Sequence, residues 1–514
     1  MPEAILQSAA ESQLHESRAT HKFIRDIFFS NLPVPFQKVR TYLWLAVFTR
    51  ALGPAGYGAW ALFTVSLGIA VSIGSLNVGS AMMRFLSGER TSAEIDRSVS
   101  TVFSMVAVTA LVCGMVIVGF SNWGAASIFH DKHARILILL LAAALPFECL
   151  FELAKSFLRA RRLNRNWAIL TLSRLLPEIV ATVFIGWWLA RVNPVAVTYL
   201  TCGILGAVSG VIYLIGYRGI RFVTPSKAVM KKYLGFGLPL IPGGLAYSLS
   251  VSADRYLVSY FLDLKQVGIY SVCFTISALA FFLVGPINDV LFPDLSALYD
   301  SGHPREFSER FSGIQKFVFG ISVGAAALLA AFPADVLRLL SSRDFTSGSV
   351  TLAILGIQGI FMAIVMLYSV IFAVHLKVWS YSFFWIASGA VIVLLDVLLL
   401  PRMGIAGAAV SQLVATGGGA FVVIGMHWQL FRESFRSIWL LQNAIAFGAP
   451  FLVMALWPHT VQLGGLQSCL RLIAGSGMFI LALVMTRYLR ASDLKLFQAA
   501  LLRRRGPVST SRLG

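Results

Sequence analysis

Residues 99–120 read VSTVFSMVAVTALVCGMVIVGF, a stretch with no charge and no proline. Wound as a helix at about 1.5 Å per residue, it spans the roughly 30 Å hydrocarbon layer of a bilayer. Segments of the same kind precede and follow it, near 32–50, 57–83, 134–157, 167–189 and 194–216. Beyond a basic connection they resume near 234–260, 268–290, 314–332, 349–374, 379–399, 404–426, 438–457 and 466–487. The reading is an all-α integral membrane protein with about 14 transmembrane helices.

Composition agrees. Of the 514 residues 57% are hydrophobic and 13% charged, where a soluble domain carries about 25% charged residues. The formal net charge of +19 comes without a soluble basic domain, a zinc spacing or an aromatic strand motif, so nucleic acid is not an expected partner. The charge suits anionic inner-leaflet lipid instead.

Short connections report orientation through their Lys and Arg. With a cytoplasmic amino terminus, the inward connections 84–98, 159–165, 217–232, 302–316, 375–378 and 427–437 hold 18 basic residues. The outward ones hold six: Lys132, Arg191, Lys265, Arg338, Arg343 and Arg402. This asymmetry favours an even number of spans with both termini inside. Residues 1–31, with Arg18, Lys22, Arg25 and Asp26, read as a cytoplasmic amphipathic lead-in rather than a signal peptide. The tail from Arg487, with Arg490, Lys495 and Arg503 to Arg505, reads as a membrane-surface and topology element.

Neither cysteines nor histidines ask for a metal or a cofactor. Cys113, Cys149, Cys202, Cys273 and Cys469 form no CxxC pair and read as small buried residues. His130, His133, His303, His375, His427 and His459 lack ligand spacing. No Walker sequence is present either.

An internal repeat organises the chain. Leu52-Gly53-Pro54-Ala55-Gly56-Tyr57-Gly58 finds an echo in Gln266-Val267-Gly268-Ile269-Tyr270, with the tyrosines 213 residues apart. The same shift lays Ala196-Val197-Thr198 over Ala409-Val410-Ser411. Two points at one offset imply two six-span halves, an arrangement common among alternating-access transporters. The seventh span opens with Gly235-Phe236-Gly237-Leu238-Pro239-Leu240-Ile241-Pro242-Gly243-Gly244. Pro239 and Pro242 weaken the helix ladder there, and a bend or short unwound stretch is expected, as a hinge or as packing.

Charges inside spans are costly and mark function or pairing. Asp254 and Arg255 precede Tyr256, and adjacent residues point about 100° apart, so one can face a polar cavity while the other holds a neighbouring helix. Glu148, Glu152 and Lys155 share one helical stripe, and Arg174 and Glu178 have the spacing of an i,i+4 ion pair. Arg84 and Arg159 lie near cytoplasmic ends, where they snorkel or turn inward, and Arg50 ends the first span. Asp289, Asp396 and Arg471 complete the set.

The chain resembles the polysaccharide transporter branch of the multidrug/oligosaccharidyl-lipid/polysaccharide exporter superfamily, from about residue 35 to 490. The resemblance rests on Arg50-x-Leu52-Gly53-Pro54-x-x-Tyr57-Gly58, Gly237-Leu238-Pro239-Leu240-Ile241-Pro242-Gly243, Asp254-Arg255-Tyr256, Val267-Gly268-x-Tyr270 and Gly404-Ile405-x-Gly407-Ala408-Ala409. It implies a first six-helix lobe over 32–216, a basic linker over 217–233 and a second lobe over 234–426, around a central cavity. Two further helices would occupy 427–490 and a basic cytoplasmic tail 491–514. It also implies a bacterial inner-membrane flippase moving an undecaprenyl-diphosphate-linked oligosaccharide repeat outward, with the isoprenoid tail left in lipid. Membrane lipids and polysaccharide polymerase and assembly proteins would be its partners. Arg50, Arg84, Arg159, Arg174 and Arg255 would meet the diphosphate in a cationic cavity, with Tyr247, Tyr256 and Trp187 available to stack on sugars. Glu148, Glu152, Glu178, Asp254, Pro239 and Pro242 would serve gating or ion coupling.

Two other readings stand beside this one. A cation-coupled small-molecule exporter of the same fold would favour a cavity of net negative charge, opposite to the bias here. A non-transport scaffold of a polysaccharide assembly complex would tolerate loss of Arg255 or Arg174. An enzyme would need a polar region presenting an acid and base pair, which neither 120–133 nor 333–348 supplies.

Overall fold

Leu52-Gly53-Pro54 sets the geometry of the first helix, α1, which runs Pro33–Gly74 over 42 residues. Unbroken, that length would reach about 63 Å, twice the hydrocarbon thickness. Gly53 interrupts it at φ 67° and ψ 179°, a conformation open essentially to glycine. Pro54 follows, without an N–H and with a ring that would strike the carbonyl of Arg50 in a continuous helix. Two apolar segments of the sequence are therefore the two arms of one broken helix.

The structure, a computed structural model, describes residues 29, 32–86, 88, 91–129, 134–374, 378–457 and 464–488. The amino-terminal lead-in before Phe29, the tail with Arg490, Lys495 and Arg503 to Arg505, and Lys132, His130, His133, His375 and His459 lie outside these residues. Among the described residues every regular element is helical. The chain forms two compact units, Met1–Ser252 with Asp263–Gly268, and Ala253–Leu262 with Ile269–Gly514.

In the first unit α1 is followed by α2 (Val78–Phe85), α3 (Ser92–Gly119), α4 (Ser121–Ser127), α5 (Arg135–Ala160), α6 (Asn164–Leu189), α7 (Val192–Arg218), α8 (Lys227–Gly237) and α9 (Ile241–Ser250). Thr91 and Glu94 start α3 with a reciprocal capping box. α5 is the hub and packs against α1, α2, α3, α6 and α7. An aromatic cluster of Trp44, Phe48, Trp60, Phe63 and Tyr199 fills the space between α1 and α7. Residues 219–226 run without helix along the start of α3. There the N–H groups of Arg221, Val223 and Ser226 donate to Asp96, Ser100 and Thr101. α2 and α8 are joined by Arg84 over the Phe236 ring at 4.6 Å and Lys232 over the Phe85 ring at 4.7 Å.

Pro239 lies in a single 3₁₀ turn, Leu238–Leu240, and Pro242 in the first turn of α9, where a missing N–H costs little. The bend expected at the prolines is thus one tightened turn, and the helix breaks further on, at Val251 and Ser252, before α10 (Ala253–Phe261). Asp263–Gly268 opens α11 (Leu264–Ser277). Within the first unit Gly58 rests on the Leu264 carbonyl and Gly268 on the Pro54 carbonyl, so the two tyrosine-bearing turns of the repeat meet through glycines that leave no room for a Cβ.

The second unit continues with α12 (Val284–Asp300), α13 (Pro304–Ala331), α14 (Pro333–Leu340), α15 (Ser349–Val374), α16 (Val378–Met403), α17 (Ile405–Met426), α18 (Trp428–Ser434), α19 (Ile438–Leu456) and α20 (Gly464–Met485). α15 packs between α13 and α17, and α16 against α17 and α10. Leu295, Phe311, Leu367, Tyr368 and Ile371 form a core there. α19 and α20 pair and rest on α13 through Trp439, Phe479 and Tyr488. Arg471, fully buried on α20, bonds Asp335 of α14 at 3.3 Å and the Trp457 carbonyl, while Ser468 donates to the same Asp335. Its charge is spent on holding α20.

Eleven described helices are long and apolar enough to cross a membrane, or twelve if Lys227–Ser250 and Ala253–Phe261 form one broken span. About fourteen apolar segments give fewer such helices because α1 contains two of them, the seventh is broken, and Leu264–Ala280 falls short of a full span. The protein is a multi-pass, all-helical membrane protein. Among its cysteines Cys149, Cys202 and Cys273 are buried and Cys113 half-buried, while Cys469 is exposed on α20, and all are free thiols.

Candidate functional site

Each unit carries a cluster of charged groups withdrawn from its surface. In the first unit the centre is Arg174 on α6. Its guanidinium grips the Glu148 carboxylate of α5 with both terminal nitrogens, one bond being 2.9 Å, and its Nε lies 3.5 Å from Glu178. Phe151 covers the guanidinium at 4.6 Å and Tyr199 at 5.7 Å. Glu178, at 1% exposure, receives a second cation, Arg40 of α1, at 3.0 Å. Two arginines and two carboxylates make a neutral quartet, the arrangement that lets charge persist in a dry interior.

Local sequence builds this cluster. Pro177 precedes Glu178 within α6, and Thr182 donates its hydroxyl to the Glu178 carbonyl one turn on. On α7, Gly206 lets the Arg174 stem pass, since a Cβ there would stand 2.6 Å from Arg174 Cδ. Gly203, one turn earlier, faces the Glu148 carboxylate. Arg40 is the accessible end: its side chain is 30% exposed. It stacks on Trp44 at 4.8 Å, and its buried Nε has no hydrogen-bond partner among the described residues.

In the second unit Asp254 of α10 is fully buried and accepts hydrogen bonds from the Tyr270 hydroxyl, from Gln412 at 3.2 Å and from the Arg255 N–H at 2.8 Å. Arg255 pairs with it at 3.7 Å and lies over Phe274 at 4.4 Å. Asp396 of α16 is also fully buried, close to Asp254, with the Ser411 hydroxyl beside its carboxylate. Among the described residues two carboxylates and one guanidinium meet here, one negative charge more than positive when both carboxyls are ionised. A proton or a small cation is the chemistry that removes it. No group of three or more His, Cys, Asp or Glu suited to a metal occurs among the described residues.

Of the residues singled out from the sequence, Arg174, Glu148 and Glu178 meet in one cluster, and Arg255 and Asp254 in the other. The i,i+4 pair of Arg174 and Glu178 is present, but the two-pronged partner is Glu148, 26 residues away. Asp254 and Arg255 are both buried rather than divided between a cavity and a helix neighbour. Arg50, Arg84 and Arg159 are exposed and stand apart. Arg50 donates to the Ala46 carbonyl at 2.7 Å, Arg84 lies over Phe236, and Arg159 lies over Trp167 at 4.2 Å. Glu152 pairs with Lys155 at 2.6 Å. Pro239 and Pro242 are exposed on the helix surface.

The sequence reading passed over Arg40, Tyr199, Gln412 and the special position of Asp396. Arg40, like Lys38 two residues before it, is detectable as a cation within the first turns of the first apolar helix. Tyr199 and Gln412 give no such signal, because one polar side chain on an apolar helix is common.

Residues 24–299 match the polysaccharide biosynthesis protein family. An uncharacterized membrane protein of Methanocaldococcus jannaschii is 22% identical over 228 residues, 42% of this chain and 44% of that protein, so the chain spans less than half of that relative's length. Among solved structures, the lipid II flippase MurJ in an inward closed conformation has a TM-score of 0.67 at 16% identity, over 90% of this chain and 98% of that one. A multidrug resistance MATE family transporter of the MOP superfamily, in an inward-facing conformation, gives 0.63 at 17% identity, over 77% and 94%. A MOP superfamily transporter from Pyrococcus furiosus gives 0.57 at 15%, over 81% and 96%. The chain belongs to the polysaccharide biosynthesis protein family and has the fold of the MOP exporter superfamily.

Proposed function

We propose that this protein is a flippase that carries an undecaprenyl-diphosphate-linked oligosaccharide repeat from the cytoplasmic to the periplasmic leaflet of a bacterial inner membrane by alternating access. It is a secondary transporter rather than an enzyme, with both termini cytoplasmic. The sign of its accessible charge carries this reading. In the first unit Glu148 and Glu178 are buried, whereas Arg50, Arg84 and Arg159 are exposed and Arg40 and Lys155 half-buried. Glu152 is the one accessible carboxylate among these span charges and is already paired. A diphosphate fits that bias, since guanidinium forks bind phosphate oxygens in pairs. An organic cation does not.

The polar glycan and diphosphate travel past these cations while the isoprenoid tail stays in lipid, which avoids dragging a hydrated sugar through hydrocarbon. Arg50, Arg84, Arg159, Arg174 and Arg255 serve the anionic head, directly or by holding neighbours. Glu148, Glu152 and Glu178 position those cations, and the hinge lies beyond Pro239 and Pro242, at the break of Val251 and Ser252. Asp254 and Asp396 bind the coupling proton or sodium ion. The flipped lipid passes to polymerase and assembly proteins outside.

The test is the leaflet distribution of undecaprenyl-linked oligosaccharide in cells lacking the protein, with wild type or Arg255→Ala restored at equal membrane levels. Cytoplasmic-leaflet accumulation relieved by wild type and not by Arg255→Ala is expected. Unchanged distribution on deletion refutes the assignment.

A further inference from the structure

We infer that Glu178 is a proton-binding site whose occupancy is linked to anion binding at Arg40; the inference rests on the diphosphate reading above. Glu178 is enclosed. Arg40 reaches it from α1, Arg174 from its own helix, Glu148 from α5, and Tyr199 and Cys202 lie near it on α7. Thr182 bonds its carbonyl and offers the carboxylate nothing. Its two cations are unequal. Arg174 is committed to Glu148 by two hydrogen bonds and reaches Glu178 only at 3.5 Å. Arg40 supplies the short contact of 3.0 Å.

Arg40 is also the member of the quartet that an outside anion can reach. Its side chain is 30% exposed, against 6% for Arg174. A diphosphate that takes the Arg40 guanidinium removes that partner from Glu178. Two buried carboxylates then share one guanidinium, and the surplus negative charge has no access to water. Uptake of one proton by Glu178 restores neutrality at the least cost, since Glu148 keeps its two-pronged bond. When the anion leaves, Arg40 returns to the carboxylate and the proton departs. Anion arrival and proton arrival thus favour each other, and affinity rises as pH falls.

The test uses the full-length protein in lipid nanodiscs and undecaprenyl diphosphate as the probe. Calorimetry in buffers of differing ionisation enthalpy counts protons taken up per lipid bound at saturating lipid. Wild type should take up about one proton more than Glu178→Gln, and its Kd should fall by up to about tenfold per pH unit lowered relative to that variant. The lipid's own phosphate protons contribute equally to both and cancel. Arg40→Gln, a change at a half-exposed position, should bind about tenfold more weakly and also lose the extra proton, because Glu178 without Arg40 is already protonated in the free protein. Proton uptake that persists in both variants, or that is the same in wild type and Glu178→Gln, overturns the linkage alone. Failure of wild type to bind undecaprenyl diphosphate overturns the diphosphate reading and the linkage with it.

Discussion

Arg174 answers to two carboxylates in a place where no water can replace it, so its removal leaves Glu148 and Glu178 short of charge. Arg174→Ala should cost about 3–5 kcal/mol, the penalty of breaking a buried ion pair, read as a lower melting temperature in detergent. Removing both ends, in Arg174→Met with Glu148→Leu, should recover much of that stability while abolishing transport, which separates folding from function. Gly206→Ala pushes a methyl to 2.6 Å from Arg174 Cδ and should cost about 1–3 kcal/mol by overpacking, visible in the same melting experiment. Part of this cluster was legible in the sequence. Arg174 and Glu178 share a helix face by their spacing, and that face survives in the structure. Glu148 belongs to another helix, and only tertiary packing through Gly203 and Gly206 of α7 reveals it as the stronger partner. Arg40 escaped because it stands near a helix end, where a cation is usually a lipid-headgroup contact.

Helix class was readable because uninterrupted apolar runs of about twenty residues admit little else in a membrane. Boundaries were harder. Gly53-Pro54 ends one span and begins another inside a single 42-residue element, and the break of the seventh span falls at Val251 and Ser252, residues with no helix-breaking signature. The prolines that carry such a signature occupy positions near helix starts where they disturb little. Gly53→Ala should cost about 1–3 kcal/mol, because alanine resists the backbone conformation that glycine adopts there. Pro54→Ala should cost less, since the glycine still turns the chain. The meeting of Gly58 with the Leu264 carbonyl and Gly268 with the Pro54 carbonyl predicts that Gly268→Ala is more damaging than Gly53→Ala: its methyl has backbone rather than open space before it. Melting temperatures of the three variants, measured side by side, check that order.

The whole molecule joins a family associated with polysaccharide biosynthesis to a fold shared with a lipid flippase and with drug exporters, and fold alone does not choose between these cargoes. The proposed cargo rests on charge placement instead: in the first unit Glu148 and Glu178 are buried while Arg50, Arg84 and Arg159 are exposed, and in the second Asp254 and Asp396 lie buried near the single guanidinium of Arg255. Asp396→Asn should therefore leave lipid binding in place and remove the dependence of transport on a proton or sodium gradient, measured in vesicles with each gradient imposed separately. An equal response to the gradient in Asp396→Asn and wild type would remove that residue from coupling. Flipping itself is measured with the purified protein in liposomes whose undecaprenyl-diphosphate-linked oligosaccharide begins in the inner leaflet, with its arrival outside followed by glycosidase digestion. Transfer about tenfold or more faster than in protein-free vesicles is expected, equivalent to at least about 1.4 kcal/mol off the barrier, and it should be lost in Arg174→Ala. Transfer no faster than in protein-free vesicles, with the fold intact, would contradict the flippase assignment.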